Sequence, residues 1–404
     1  MPSRCGYPLA LEKSGRGCLP KGMTLVESTE DQAEPALTDL GRPGDPPGLP
    51  LRIAFLHLEA GEPSPGVLQK HATMLNVWRD LGMTVESIRP KIVSPPTGIV
   101  GRFRLLRALN AAANDAAGRL DDFRPDVVYA REMIWTPATE RIMRGHPVVL
   151  ELNGDAAVQL RRRSRSAAAF WGITAGRLHR HAKGYVAATE QIVASRRGGD
   201  ASVMVVGNPV FVSDTPPARD PQSPPLVVML VGERADRPIA TNRGIDRLVR
   251  IAARLPGVRF RVLGGEMPTD LTSPSNLDFA PAVPVDELER VFASATASLG
   301  SLAPHRSGLT SSRALKIRTS LAFGVPVVLS HDDPDLPSDA DFLLRVRARE
   351  EVTDTDVERI DRFIRRAWDD PSVGRQAWRF AARRLSGRAI EPARLRFLAS
   401  VASR

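Results

Sequence analysis

The 404-residue sequence contains little cysteine and no long apolar run. Its two cysteines, Cys5 and Cys18, cannot complete the four-ligand shell of a structural zinc ion. No apolar run approaches the roughly 20 residues of a membrane-spanning helix, and residues 1–25 lack the apolar core of a secretory signal. We therefore expect a cytoplasmic protein without a spanning helix, and we assign no zinc site to the two cysteines.

The charge balance is basic but not extreme. Lysine and arginine number 56 against 46 acidic residues, a net charge of +10, which leaves anionic partners open. Nucleic acid is an unlikely partner, because no zinc-ligand spacing, helix-turn-helix pattern or aromatic platform accompanies the charge. Apolar residues make up 42% and charged residues 25%, the balance of a folded chain. The length predicts two domains.

The distribution of apolar residues divides the chain into five parts. Residues 1–50 are rich in Gly, Pro and charge and predict a disordered tail. Short apolar runs alternate with helix-length segments over 51–213, and again over 226–372 after a proline-rich linker at 214–225. Residues 373–404 predict terminal helices. The predicted fold class is α/β, with two doubly wound Rossmann-like domains that face a cleft.

The same patterns predict individual elements. Strands are expected at 51–56, from 84, and at 126–130, 147–152, 185–188, 202–206, 226–231, 260–263, 296–299 and 326–329. Helices are expected at 67–81, 102–122, 156–182, 189–196, 244–255, 286–292, 312–323 and 357–368.

A series of short motifs follows these elements in a fixed order. The motifs occupy residues 124–131 (RPDVVYAR), 149–154 (VLELNG), 206–209 (VGNP), 230–232 with 243–245, 260–265, 315–318 (LKIR) and 322–328. From about residue 51 to 330 the chain thus resembles the GT-B glycosyltransferases, especially the family 4 (group 1) type. The resemblance implies transfer of a sugar from a nucleotide-sugar donor to a glycan or lipid-linked acceptor. It also implies retention of configuration, no tightly held metal and no cofactor, since the nucleotide-sugar is a substrate.

One departure from that family concerns a pair of glutamates spaced Glu-x7-Glu at the donor site. Counting back from Gly324 places the two positions at Ser311 and Thr319, neither of which is acidic. In the family the second glutamate holds the ribose hydroxyls. A second hypothesis is therefore a catalytically impaired GT-B protein that binds a nucleotide, a glycan or a partner enzyme.

A metal-free site must stabilise the charge that develops on the departing β-phosphate, either with fixed cations or with helix N-terminal N–H groups. The family pattern assigns this role to six residues: Arg234, Arg243, Lys316, Ser311, Ser312 and Gly66. We expect Ser311 and Ser312 to cap a helix in which Ser312, Lys316 and Thr319 share one face. The pattern assigns Thr319 and Gly264 to the nucleoside. Ordinary surface charges remain the alternative for the basic residues.

The acceptor side is predicted to lie in the first domain. Glu151 and Asn153 end a strand that points at the crevice, where an acid or amide could orient the acceptor hydroxyl. Tying adjacent loops together is the alternative role for both. Lys70 and Arg131 are assigned to the acceptor side by their places in the motifs, and Gly66 could equally serve a plain turn.

The segment 156–189 contains no acidic residue but carries seven basic ones, with Phe170 and Trp171 among them. These basic residues are Arg161, Arg162, Arg163, Arg165, Arg177, Arg180 and Lys183. Such a segment could dock on an anionic membrane surface, which would make the protein peripheral at the inner face of the membrane. A solvated basic helix is the alternative interpretation.

Overall fold

A computed structural model describes most of the chain. The described residues are 25–26, 50–59, 61, 63–92, 99–194, 201–220, 223–231, 243–265, 267, 271–308 and 310–404. The disordered-tail prediction therefore falls almost wholly outside these ranges, and so does the prediction for Arg234. Within the predicted tail, residues 25–26 form a two-residue strand that pairs with a strand of the first domain.

The first domain is built on a parallel sheet with helices on its faces. Its strands are β1 Leu25–Val26, β2 Arg52–Leu56, β3 Thr84–Ile88, β4 Val127–Arg131, β5 Val148–Leu152, β6 Gly184–Ala187 and β7 Ser202–Val205. They are ordered β1-β7-β6-β5-β4-β2-β3. Its helices are α1 Pro65–Asp80, α2 Ile99–Phe123, α3 Pro137–Gly145, α4 Ala156–Arg163, α5 Arg165–His179 and α6 Glu190–Ala194. Strands β5 and β6 are buried along their whole length, as expected when helices cover both faces.

The second domain repeats this plan. Its strands are β8 Leu226–Leu230, β9 Arg259–Leu263, β10 Leu277–Ala280, β11 Ala297–Leu299, β12 Val327–Leu329 and β13 Leu343–Arg345, in the order β10-β9-β8-β11-β12-β13. The helices are α7 Ile245–Arg254, α8 Val285–Ser294, α9 Leu315–Ala322, α10 Asp354–Asp369, α11 Pro371–Phe380 and α12 Gly387–Ala402. The described pairs in this sheet are all parallel. The fold class predicted from the sequence, α/β with two doubly wound domains, is confirmed.

Several element predictions are corrected. Strands β10 and β13 and helix α3 were not expected. The helix expected at 156–182 is broken at Ser164, whose hydroxyl accepts a hydrogen bond from Ala167 N (3.3 Å) and so caps α5 as a new helix. The helix expected at 312–323 begins three residues later, at Leu315.

The terminal helices divide between the two domains. In α11, Val373 and Ala377 pack against Ile317 and Leu321 of the second domain. Helix α12 returns to the first domain and joins the core cluster that contains Ile53 and Trp78, through a buried face formed by Ile390, Leu395, Phe397, Leu398 and Val401. The end of the chain thus clamps the two domains together.

Candidate functional site

The carboxyl ends of the two sheets meet across direct contacts. Arg313, just before α9, donates to the carbonyl of Ala188 (2.7 Å), and Gln191 donates to the carbonyl of Gly308 (3.0 Å). A Cβ built on Gly66 would lie 3.5 Å from Leu315 Cδ2. The start of α1 in the first domain therefore faces the start of α9 in the second.

Strand order reverses at one point in each sheet, and ligands of doubly wound folds bind at such points. In the first sheet the reversal lies between β2 and β4, and in the second between β8 and β11. The segment after β2 leads to Gly66 and Lys70, and Arg131 ends β4. The segment after β8 leads to Arg243, and α9 with Lys316 follows β11. Five of the predicted residues thus lie at the two reversal points.

A glycine fixes the position of Arg243. Gly244 begins α7 in the left-handed region, at φ 74°, and a Cβ there would lie 2.9 Å from Leu302 Cβ and 3.0 Å from Ala303 N. The carbonyl of Arg243 accepts a hydrogen bond from Leu302 N (2.9 Å). Because no other residue fits this turn, Arg243 is held directly against the segment that follows β11.

Lys316 is a half-buried cation beside Arg243. Its ammonium donates to the carbonyl of Leu230 at the end of β8 (2.9 Å). Burial, and next the positive charge of Arg243, lower the pKa of Lys316 well below its usual value. Among the residues that the structure describes, no carboxylate lies within 4 Å of this ammonium. A bound anion would supply the missing opposite charge.

Ser311 and Ser312 do not cap a helix. Ser312 N donates to the carbonyl of Asp332 (2.9 Å), and Ser311 pairs with Asp332 in a parallel bridge. Helix α9 has Ala314 at its N-cap position and no side-chain cap. The capping prediction is wrong, because backbone pairing with the segment after β12 holds these two serines in extended conformation.

The two residues assigned to the nucleoside are both buried. Thr319 is buried, and its hydroxyl donates to the carbonyl of Leu315 within α9 (3.0 Å). Gly264 ends β9 with φ 85° and donates to the carbonyl of Ala280 (3.0 Å). Since Ser312 lies outside α9, the helical face predicted for Ser312, Lys316 and Thr319 is not formed.

Lys70, Glu151 and Asn153 form one hydrogen-bonded group. Lys70 Nζ lies 2.6 Å from Glu151 Oε1 and 3.3 Å from Asn153 Oδ1, and Asn153 Nδ2 lies 2.9 Å from Glu151 Oε2. Burial would raise the pKa of Glu151, but the charges of Lys70 and Arg394 outweigh it and hold that pKa well below its usual value. Burial lowers the pKa of Lys70, against the attraction of Glu151. Only Asn153 of the three is exposed.

The network continues into the last helix. Tyr129 donates to Glu151 Oε1 (2.9 Å), and Arg394 of α12 donates to the Tyr129 hydroxyl (2.8 Å) and to the carbonyl of Gly207 (3.2 Å). Glu391 accepts from Trp78 Nε1 at 2.6 Å. Glu151 is therefore enclosed on all sides by partners, which favours the role of tying segments together.

Arg131 has a different partner from these residues. Its guanidinium lies 3.3 Å from Glu59 Oε1, and His57 Nε2 lies 3.2 Å from Glu59 Oε2. All three residues stand at the carboxyl end of β2 or β4, the reversal point of the first sheet. This acid between a histidine and an arginine was not predicted from the sequence.

A second buried network joins the domains and was also missed. Arg318 contacts Asp333 Oδ1 at 3.2 Å and Asp335 Oδ2 at 2.5 Å, and Arg313 reaches Asp335 Oδ1 at 2.8 Å. Arg318 also donates to the carbonyl of Asn208 in the first domain (3.3 Å). The Asp-x-Asp spacing after β12 was its signal, but spacing alone does not reveal the arginine partners.

The basic segment 156–189 contains α4, α5 and strand β6. Five of its cations are exposed, namely Arg161, Arg165, Arg177, Arg180 and Lys183, while the side chains of Arg162 and Arg163 lie outside the described residues. Trp171 is buried, but Ile173 is 76% exposed, and Phe103 on the adjacent α2 is 71% exposed. Arg102 of α2 donates to Ser166 of α5, which holds the two helices together.

Comparison with solved structures shows which known fold this architecture shares. A sucrose-phosphate synthase from Thermosynechococcus elongatus has a TM-score of 0.57 at 12% identity, over 87% of this chain and 99% of that chain. An α-glucosyltransferase bound to UDP and mismatched DNA has 0.56 at 11%, over 87% and 99%. The chain has the GT-B fold. Anabaena HepE, solved with UDP-glucose, has 0.54 at 14% identity, over 87% and 100%.

Sequence comparison adds no closer relationship, because no family model and no curated protein matches the chain. Within the described ranges, no helix combines the length and apolar character needed to cross a bilayer. In the same ranges, no three His, Cys, Asp or Glu side chains are grouped as metal ligands.

Proposed function

We propose that the protein is a glycosyltransferase that moves a sugar from a nucleoside-diphosphate donor to a glycan or lipid-linked acceptor. The observation that carries this proposal is the Lys316 ammonium, which lies half-buried beside Arg243 at the reversal point of the second sheet, with no carboxylate of the described residues next to it. The fold shared with nucleotide-sugar enzymes supports it. Retention of configuration and independence from metal are parts of the proposal that rest on the sequence resemblance.

In this mechanism Arg243 and Lys316 stabilise the charge that develops on the β-phosphate as the sugar leaves. Fixed cations in a partly dehydrated site act more strongly than they would in water. Across the cleft, α1 begins at Pro65 beside Gly66, and its first turn contains no acid. Its N–H groups and positive dipole end are therefore free of an intrahelical carboxylate and could add to the phosphate site.

On the acceptor side we propose that Asn153, rather than Glu151, touches the acceptor. Asn153 is exposed at the end of β5, whereas Glu151 is 3% exposed and bonded to Lys70, Tyr129 and Asn153. Glu151 then acts by holding Lys70 and Asn153 in place. The ion pair of Arg131 with Glu59 lies at the same strand ends and is the second group proposed to border the acceptor.

A thermal-shift screen tests donor binding, since a ligand that binds only the folded protein raises its melting temperature. UDP, GDP, ADP and dTDP are added with EDTA present, and the matching sugar nucleotides are then assayed for transfer. We expect one diphosphate to raise the melting temperature and its sugar nucleotide to be consumed. A folded protein that responds to none of them would overturn the proposal.

The second candidate is a GT-B protein that binds but does not transfer. The observation behind it is Thr319, which stands where the family has a glutamate and uses its hydroxyl inside α9. Thr319→Glu separates the candidates. A gain of donor affinity would indicate a decayed transferase site, whereas a loss would indicate a site adapted to another ligand.

We also propose that the protein is cytoplasmic and that α5 and the start of α2 dock on an anionic membrane surface, which would make it peripheral at the inner face of the membrane. Exposed Ile173 and Phe103 stand among exposed arginines, the combination that favours an acidic lipid interface. Sedimentation with vesicles of phosphatidylglycerol and phosphatidylcholine tests this. Ile173→Asp should lower the fraction of protein that sediments with the vesicles. Asp278→Asn, in β10 of the second domain, serves as the control outside α2 and α5. Equal binding of all three proteins would contradict the proposal.

A further inference from the structure

A second cavity opens at the carboxyl end of the second sheet, on the β12 and β13 side. It has a volume of about 500 Å³, and its polar lining includes His305, Thr310, Ser330, His331, Asp332 and Arg345. Such a volume lies within the range of roughly 300–1,000 Å³ typical of small-molecule sites. Strand β11 separates its floor from β8, where the Lys316 ammonium is bonded. The cavity is therefore a neighbour of the proposed phosphate site and not part of it.

Two residues of the cavity wall have buried polar atoms without partners. His331 and Ser330 are each 6% exposed. Among the described residues, no group makes a hydrogen bond of normal geometry with either ring nitrogen of His331 or with the hydroxyl of Ser330, although the backbone of Ser312 approaches the His331 ring. Buried polar groups are almost always satisfied in folded proteins. Three such atoms on consecutive residues, lining one cavity, indicate that a ligand completes their hydrogen bonds.

The charges around the cavity disfavour an anionic ligand. The guanidinium of Arg345 donates to the carbonyls of Pro337 (2.6 Å), Ser338 (3.1 Å) and Leu336 (3.3 Å). Few of its N–H groups therefore remain to bind a ligand. Asp332 is exposed at the rim and lies 3.8 Å from Arg345. His305 Nε2 is 2.9 Å from Glu350. Among the described residues that line the cavity, a phosphate would meet the Asp332 carboxylate and an arginine already bonded to three carbonyls, whereas Lys316 lies outside the lining.

The remaining groups both donate and accept hydrogen bonds. Burial, and next the charge of Lys316, lower the pKa of His331 to about 4, so its ring is neutral at pH 7 with one N–H and one lone pair. The hydroxyls of Ser330 and Thr310 likewise donate and accept, and Asp332 accepts. This mixture matches vicinal hydroxyl groups, each of which also donates and accepts.

We propose that this cavity binds one neutral sugar unit of a glycan through His331 and Ser330, with Asp332 and Thr310 at its rim. The site does not depend on the proposed transfer reaction, since a protein that only binds glycans could use it equally. The sugar could belong to a free saccharide, to an acceptor chain or to the donor, and the shared chemistry is a neutral ring bearing adjacent hydroxyls.

NMR of the protein labelled with ¹⁵N-histidine tests the proposal, because the chain has seven histidines and His331→Gln identifies one ring signal. The probes are methyl glucoside, methyl galactoside, methyl mannoside and methyl N-acetylglucosaminide, each to roughly 100 mM because single sugar rings bind weakly. Maltotriose represents glycan chains, UDP-glucose and GDP-mannose represent donors, and inorganic phosphate is the anion arm. We expect at least one neutral sugar to move the His331 signal saturably, and phosphate to leave it unmoved.

Ser330→Ala gives a second test, because it removes an unpartnered hydroxyl and leaves the fold intact. It should weaken the sugar's apparent affinity roughly threefold to tenfold, the effect of one lost hydrogen bond. Ser403→Ala, at the exposed chain end, should have no effect. Unmoved His331 signals with every sugar, or equal affinity in Ser330→Ala, would overturn the proposal. A shift with inorganic phosphate would do the same, by assigning the cavity to an anion. Diphosphate binding is measured separately, so its failure leaves this result intact.

Discussion

Lys316→Met removes the ammonium proposed to hold the donor diphosphate while it keeps most of the side chain's volume. A hydrogen bond to a charged group contributes about 1.5–3 kcal/mol. Since 1.4 kcal/mol corresponds to a tenfold change in affinity, the diphosphate should bind roughly 10- to 100-fold more weakly. The affinity for the bare nucleoside should change little, because the nucleoside does not reach the ammonium.

The same substitution should not destabilise the free protein. Burial and Arg243 lower the pKa of Lys316 in the folded state below 10.5, so the folded protein binds this proton less well than the unfolded chain. The charge therefore opposes folding at neutral pH, and stability rises as the pH rises from the folded pKa toward 10.5. Lys316→Met should melt at the same temperature as the original protein or higher at pH 7, and should lose this part of the pH dependence.

Calorimetric titration with the diphosphate and thermal melts are compared for the original protein, Lys316→Met and Lys183→Met. Lys183→Met is the matched control, because Lys183 is exposed and directly precedes β6, at the amino ends of the first sheet's strands and away from the carboxyl ends that face the second domain. It should bind diphosphate as the original protein does. If Lys316→Met also binds diphosphate with unchanged affinity, or if it unfolds several degrees earlier, the reasoning about this cation is refuted.

Four further substitutions test the structure, three of them around the cleft and one, Gly118→Ala, as a control. Arg318→Met should lower the free energy of unfolding by about 3–5 kcal/mol in urea titrations, because it leaves the fully buried Asp333 without its countercharge; no loss would contradict the buried pair. Gly244→Ala should destabilise, since φ is 74° and Leu302 Cβ is 2.9 Å away, whereas Gly118→Ala, in an open helical position, should stabilise by about 0.4–1 kcal/mol. Glu151→Gln should lower stability above pH 4.5, where the depressed pKa of this carboxyl makes its charge stabilising, and this difference should shrink as the pH falls; an intact fold with lost activity would instead favour a catalytic role.

The sequence predicts the architecture because parallel strands buried on both faces leave continuous apolar runs. Runs such as Val148–Leu152 and Leu226–Leu230 therefore predict central strands. Edge strands lack this signature: Leu277–Ala280 contains an aspartate and Leu343–Arg345 has three residues. Each of these edge strands is identified only from its backbone pairing with the neighbouring strand of the sheet.

The site was predictable in its location but not in its connections. The reversal points of the two sheets follow from strand order, and Gly66, Lys70, Arg243 and Lys316 lie there. The partner of each charge does not follow, because it depends on residues far apart in the chain. Arg394 reaches Tyr129 across 265 positions, and such pairing becomes visible only when α12 packs on the first domain.

The start of α9 shows the limit of local rules. A run of hydroxyl residues before an apolar helical pattern predicts a cap at Ser311 or Ser312. In the structure, backbone pairing of Ser312 with Asp332 takes priority, and the helix begins at Leu315 without a side-chain cap. Contact with a distant segment thus overrides the local preference.

Hydrogen–deuterium exchange with and without a nucleoside diphosphate tests the central claim most directly, because it locates the bound ligand on the chain. The claim is that a diphosphate binds where the two sheets meet, between Arg243, Lys316 and the start of α1. We predict slower exchange in peptides covering residues 243–250 and 310–318, and in the first turn of α1. Protection confined to other segments, or no protection at saturating ligand, would contradict it.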